Sequence, residues 1–396
     1  MKVALFDYKI VPTNPIGGCH LRMLRGLSRE HEFTVFAVEL ENPDPERIKW
    51  VKIPAPVRPL ALLFAAFHLL APIYYLAFRL RRRIRFDLIQ GVETNILFGD
   101  VAYSQFCHSA YLRERAPRTR ARVRDVLRWL DHALHAILEP LRYRIVKQII
   151  APSRGLAEEM KQEFSAATQK LRVISNPLAV ESLRRPEDFD AWRVRGELGF
   201  QNSDVVLIFA ALGHFERKGL PLILDALARL GRPEVKLIVV GGEPGVLIDY
   251  KRIVEQMGIA EHVHFAGMRR DFRDLLWASD AFVFPSAYET FSLVSFEAAA
   301  AGLPLLTSRL HGVEELLIDG FNGFEVPLDS GGIASVLEEF VTLSPSRRRA
   351  MGILASTRAQ AYSVERFVEE WRKFYEGIAR STSRVPVKIF GRAPAE

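Results

Sequence analysis

Cysteine is nearly absent: Cys19 and Cys107 are the only two in 396 residues. Two thiols cannot build a disulfide framework, and their spacing closes no zinc site. A stapled secreted scaffold is therefore excluded, and a reducing, cytoplasmic setting is expected. Low-complexity tracts are missing too, and 49% hydrophobic with 26% charged residues is the composition of a folded protein. The opening MKVALFDYKI lacks the long apolar core and small-residue cleavage site of a leader peptide. Lys2 to Asp7 reads as a first strand instead.

A chain of this length suits two domains with two cores. Short apolar runs alternate with helical stretches: VALF, a helix from about His20, FTVFAV, DLIQG, VKQIIAPS and LRVISNP. This is the pattern of parallel βαβ units. After the polar stretch RRPEDFDAWRVRGELGFQNSD it restarts with DVVLIFAAL, a helix over 221–230, VKLIVVGG, a helix near 249–257, HVHFAG, AFVFPS and PLLTS. The expected architecture is α/β: two Rossmann-like, doubly wound domains facing each other across a cleft, where such folds hold ligands. The boundaries read as 1–175 and 176–363, joined near Ser175-Asn176-Pro177. An amphipathic helix from about Val364 to Arg380, followed by a tail to 396, is expected to pack back toward the first domain.

The net charge of +7 is unevenly spread: residues 1–170 hold 27 Lys/Arg against 17 Asp/Glu, the remainder 27 against 30. Two segments concentrate it. Leu60 to Phe78 is nineteen residues without charge, followed by RLRRRIR. Its length reaches the lower limit for a membrane span, but His68 and Pro72 interrupt it, so a buried helix, an interfacial helix and a span all stay open. Arg113 to Arg128 carries seven arginines ahead of an apolar helix. An arginine-rich helix is usually a solvated face. Two such clusters, Leu60–Arg85 and Arg113–Arg128, beside apolar neighbours favour an anionic membrane surface over nucleic acid.

The segment with most chemical content is ETFSLVSFE, with Glu289 and Glu297 at its ends and AAAAGLP after it. AFVFPS should be a strand, 288–290 a turn, and 292–301 a helix closed by Gly302 and Pro304. The amides of Thr290, Phe291 and Ser292 then form an open helix N-terminus, suited to phosphate or sugar hydroxyls. A carboxylate accepts hydroxyl hydrogen bonds and donates none, so acids on either side of an anion site suit sugar, diphosphate and ribose in a row. The plainer alternative has Glu289 capping the helix and Glu297 exposed upon it. Gly17 and Gly18 of PIGG fall between the first strand and its helix, where missing side chains let backbone approach a ligand, or simply form a turn.

E-x7-E with its small-residue helix, GVEELLIDGFNGFEV downstream, PIGG near the start, ISNP at the junction and GHFERKGL after a strand together resemble the retaining glycosyltransferases of family 4, which have the GT-B fold. The resemblance implies that Glu297 holds the ribose and Glu289 the donor sugar, with Phe291, Ser292 and Leu293 presenting amides. Many members have glycine at the place of Ser292; serine there is expected to be tolerated where φ is negative, with its hydroxyl adding a contact. Lys218 matches the lysine that neutralises the diphosphate. His214 stands where members commonly have arginine, which leaves Arg217 as the second cation to consider. His108 resembles the histidine near the reacting sugar, although a lone histidine is more often structural. Base contacts around Gly267-Met268-Arg269 would come from backbone.

The implied activity is transfer of a hexose-type sugar from a nucleoside diphosphate sugar to a glycan or lipid-linked acceptor with retention at the anomeric carbon. His108, Glu289 and Lys218 would be catalytic, and no cofactor and no metal is expected, since no DxD-like cluster occupies a suitable place. Alternatives on the same fold are a nucleotide-sugar epimerase, a phosphorylase, or a non-catalytic sugar-nucleotide-binding partner subunit. The enzyme would be cytoplasmic and peripheral at the inner membrane face.

Overall fold

The computed structural model describes residues 1–114 and 123–383, which form two compact units. One comprises Met1–Tyr103, Leu112–Ile149 and the chain from Glu365; the other comprises Ser104–Tyr111 and Ile150–Val364. Of the arginine run 113–128, residues 115–122 lie outside the described residues.

In the first unit, five strands lie side by side and parallel: β1 (Lys2–Phe6), β2 (Glu32–Ala37), β3 (Lys49–Lys52), β4 (Leu88–Val92) and β5 (Val101–Tyr103), in the order β3-β2-β1-β4-β5. VALF and FTVFA are buried along their whole length, as parallel strands covered on both faces must be. The order reverses direction between β1 and β4. Asp7, Glu93, Thr94 and Asn95, in the connections leaving those two strands, are all buried polar residues.

The helix after β1, α1 (Pro15–Leu27), starts five residues before the expected His20. Pro15 fits the first helical position, and the Asn14 side chain caps the end by accepting from the Gly17 amide at 2.8 Å. This corrects the expectation of an open glycine turn: Gly17 and Gly18 lie inside the first helical turn. A Cβ on Gly17 would stand 2.1 Å from the Lys9 carbonyl oxygen, so glycine is required by packing, and its amide is consumed by the cap.

The apolar run becomes α2 (Leu60–Arg82). Leu63, Phe67, Ala71 and Tyr75 enter the core, where Phe67 meets Tyr8 at 4.9 Å and Tyr75 meets Phe36 at 5.8 Å between ring centroids. Its opposite side is exposed, so the helix is neither wholly buried nor free of the core. Beside it lies α3 (Val123–Ile145), with Phe64 of α2 against His135 at 4.8 Å. Arg142 of α3 is fully buried and donates to three carbonyls, those of Glu93 (3.3 Å), Phe98 (2.7 Å) and Val101 (2.9 Å). Burial pulls its pKa down to about 10.

The terminal helix Val364–Ser383 belongs to this unit from Glu365. Trp371 and Tyr375 are fully buried in it. Tyr375 donates to Gln90 Oε1 (2.8 Å), the Gln90 amide faces His20 Nε2 (3.3 Å), and His20 Nδ1 meets Asp7 Oδ2 (2.8 Å), a chain of paired polar groups through the core. Both cysteines are buried, and burial pushes the Cys19 thiol up to about 12. A thiol held in that form is a poor nucleophile.

The second unit carries six parallel strands: β6 (Val205–Ala210), β7 (Val235–Val240), β8 (Val263–Gly267), β9 (Ala281–Phe284), β10 (Leu305–Thr307) and β11 (Gly323–Glu325). Their order is β8-β7-β6-β9-β10-β11. The direction of winding changes between β6 and β9. In such sheets the crevice outside the carboxyl ends of the strands at the reversal is where ligands sit.

Candidate active site

Chain leaving β6 and β9 builds this crevice in the second unit. After β6 come a short helix, α4 (Phe215–Lys218), and then α5 (Leu220–Leu230). Arg217 and Lys218 thus end a helical turn. Gly219 between the two helices has φ +84°, and a Cβ there would stand 2.2 Å from the Pro285 carbonyl oxygen. Only glycine permits both, and the close approach brings Lys218 to the loop after β9. The Ala287 amide donating to the Arg217 carbonyl (2.9 Å) fastens the two segments.

Two cations and a hydroxyl meet on one carboxylate oxygen of this crevice. Lys218 Nζ, Arg217 (3.2 Å) and the Ser286 hydroxyl (3.0 Å) all reach Glu289 Oε1. Arg217 also donates to the Tyr288 carbonyl. The Lys218 and Glu289 side chains are 17% and 13% exposed, and the ammonium lies 5.1 Å from the Phe284 ring centroid. Burial draws the Lys218 pKa below its usual value; Glu289 opposes the shift and Arg217 adds to it. Two cations and one carboxylate leave one net positive charge in a sheltered place. Among the described residues, Glu289 Oε2 has no hydrogen-bond donor.

The loop carrying Glu289 is braced on both sides. Ser153 caps the helix Arg154–Glu163 and its hydroxyl donates to the Thr290 carbonyl (2.7 Å). Tyr288 donates to Glu159 Oε2 (2.9 Å), and its ring meets Phe106 at 5.4 Å and Tyr111 at 5.5 Å. Phe106 in turn meets the ring of buried His108 at 5.0 Å, so His108 and the loop are linked through aromatic contacts.

Phe291 is buried and stacks on Phe296 at 4.2 Å. Then comes α6 (Leu293–Ala300), close to the expected span. Glu289 does not cap it: the N-cap is Ser292, and no side chain caps this end. Ser292 corrects the expectation of negative φ, since it has φ +55° and ψ +62°. Its hydroxyl lies 2.8 Å from that of Ser295, a local bond that supports serine in a conformation that glycine usually takes. Glu297 is half-buried in the second turn of α6. His214 is exposed with φ +60° at the start of α4, and Met268, just past β8, is 65% exposed.

Glu289, Lys218, Arg217, Phe291, Ser292 and Leu293 thus come from the two loops of the reversal, whereas Gly17 is a helix-packing residue of the first unit and Gly18 stands beside it in the same helical turn. Sequence reasoning missed Ser286, Ser153, Phe284 and the Tyr288–Glu159 bond. Ser286 had a visible sign, a serine just past AFVF; the others depend on tertiary contact.

The chain matches the description "Glycosyltransferase Family 4" over residues 20–182 and "Glycosyl transferases group 1" over residues 203–342. A glycosyltransferase of Methanocaldococcus jannaschii, MJ1607, is 26% identical over 347 residues, 82% of this chain and 85% of that protein. The next two curated relatives are matched over about half their length, 56% and 54%. Among solved structures, WaaG, a glycosyltransferase involved in lipopolysaccharide biosynthesis, superposes with TM-score 0.73 at 20% identity over 95% of this chain and all of that one. Anabaena Alr3699/HepE in complex with UDP-glucose gives TM-score 0.69 at 21% identity over 97% of this chain and 100% of that chain.

Proposed function

Since the chain belongs to the family 4 type of glycosyltransferases with the GT-B fold, we propose that it transfers a hexose-type sugar from a nucleoside diphosphate donor to a membrane-borne acceptor, lipid-linked or glycan, with retention and without a metal. The observation that carries the donor site is the convergence of Lys218, Arg217 and Ser286 on Glu289 Oε1, with Oε2 left open. A diphosphate entering beside them meets one uncompensated positive charge and the N-terminal amides of α6. Glu289 then accepts sugar hydroxyls through Oε2, and Glu297, one side of α6 further on, takes the ribose.

As the bond from the anomeric carbon to the diphosphate oxygen breaks, negative charge grows on the leaving group. Stabilising it at that moment is worth more to turnover than holding the ground state. Lys218 and Arg217 supply that stabilisation, a phosphate oxygen takes the proton of the acceptor hydroxyl, and His108 positions the sugar. HepE binds UDP-glucose, which makes UDP-sugars the first donors to try.

The test is a thermal-shift screen of UDP-, GDP- and ADP-sugars, followed by NMR of the product anomer and assay in chelator. A donor-induced rise in melting temperature and a retained, chelator-resistant product are expected. An inverted product would overturn retention, and loss of turnover in chelator would overturn metal independence.

A further inference from the structure

Helix α2 is apolar all the way round, yet the fold uses only one side of it. Leu63, Phe67, Ala71 and Tyr75, four apart, are buried, while Leu62, Leu69, Ile73, Leu76 and Leu80 are 51%, 67%, 53%, 50% and 75% exposed. Helical positions two apart are separated by about 200°, so the exposed stripe lies opposite the buried one. An ordinary surface helix puts polar residues there. The neighbouring α3 repeats the feature: Leu130, Ile137, Leu141 and Ile145 are spaced by four or seven residues and are exposed. Exposed apolar surface on two adjacent helices marks an interaction surface.

Charge identifies the occupant. Arg79, Arg81, Arg82, Arg83 and Arg85 are exposed at and just past the end of α2, and no Asp or Glu occurs between Leu60 and Phe86. A second copy docked symmetrically on this face would bring two sets of five arginines together. Anionic headgroups complement them, and acyl chains complement the leucines. A full span is inconsistent with the inner side of α2, because withdrawing Phe67 and Tyr75 would strip the aromatic cover from Tyr8, Phe6 and Phe36.

We propose that α2 and α3 together form a monotopic membrane-docking surface, with the outer stripe of α2 at the boundary between headgroups and acyl chains and Arg79–Arg85 on lipid phosphates. The proposal rests on the reading of a membrane-borne acceptor and names the surface that meets the membrane.

The experiment is sedimentation of the full chain with phosphatidylcholine vesicles, with and without phosphatidylglycerol, at low and high salt. Binding should require phosphatidylglycerol and weaken with salt. The pair Leu69→Asp and Ile73→Asp should weaken it by about tenfold or more, and each of Arg81→Ala, Arg82→Ala and Arg83→Ala by about fivefold. Melting temperatures should stay unchanged, since these side chains lie outside the core. Equal binding to both vesicles, binding to neither, or a dimer in solution that Leu69→Asp splits would overturn the docking surface. The donor-induced thermal shift, measured without vesicles, reports on the transferase reading separately.

Discussion

Replacing either partner of the Lys218–Glu289 pair should have opposite consequences for stability and for nucleotide binding. In Lys218→Met, Glu289 keeps Arg217 at 3.2 Å and Ser286 at 3.0 Å, so the unliganded protein should lose about 1 kcal/mol. In Glu289→Gln, two sheltered cations lose their shared carboxylate, which should cost about 3 kcal/mol. At roughly 2–4 °C per kcal/mol for a unit of this size, the expected falls in melting temperature are about 3 °C and about 9 °C. The double variant has one cation and no carboxylate and should resemble Lys218→Met, giving a coupling of about 3 kcal/mol in a double-mutant cycle. A nucleoside diphosphate reverses the ranking. It replaces the missing anion in Glu289→Gln, so its stabilising effect there should exceed that on the wild type, while Lys218→Met should lose a charge-assisted contact worth about 1.5–3 kcal/mol. Scanning calorimetry of the four proteins with and without UDP decides the matter. Additive losses, or equal UDP shifts in the two single variants, would refute the reasoning.

Arg142→Leu should destabilise the first unit by about 3–5 kcal/mol in denaturant unfolding, because three carbonyls lose their buried donor; a loss below about 1 kcal/mol would count against that role. Gly219→Ala forces a Cβ to within 2.2 Å of the Pro285 oxygen at positive φ; it should cost about 2–3 kcal/mol and lower turnover further by moving Lys218, as thermal unfolding and donor assays would show. Half-buried Asp131 has its pKa raised from 3.8 to about 6, by burial first and then by Glu93. Between about pH 4 and 6 the native state therefore holds a proton that the unfolded chain has released, so this group's contribution falls as pH rises through that window. Partial exposure limits the effect to about 1 kcal/mol. Asp131→Asn should remove this part of the slope, and identical profiles for variant and wild type would contradict the assignment.

The strands and their alternation with helices were legible because VVLIFA and VKLIVV must be covered on both faces, and such runs leave little choice but parallel βαβ units. The start of α1 was misread although Asn14 and Pro15 are strong start signals, since the glycine pair after them suggested a turn. Nothing local shows that a Cβ on Gly17 would meet the Lys9 carbonyl. The two acids of E-x7-E and the cations Lys218 and Arg217 were visible; that both cations bind Glu289 was not, because Lys218 and Glu289 lie 71 residues apart and meet only through the reversal of strand order between β6 and β9. The sign of φ at Ser292 likewise follows from how α6 docks. For α2, periodicity could not choose a buried side in a helix apolar all round; only Phe6, Tyr8 and Phe36 do.

The most direct test of the donor site is a crystal structure with UDP and, separately, with the sugar nucleotide that gives the largest thermal shift. The account predicts diphosphate oxygens within hydrogen-bonding distance of Lys218 Nζ, Arg217 and the first amides of α6, with a sugar hydroxyl on Glu289 Oε2. A diphosphate bound elsewhere, with the contacts on Glu289 unchanged and Oε2 facing only water, would contradict it.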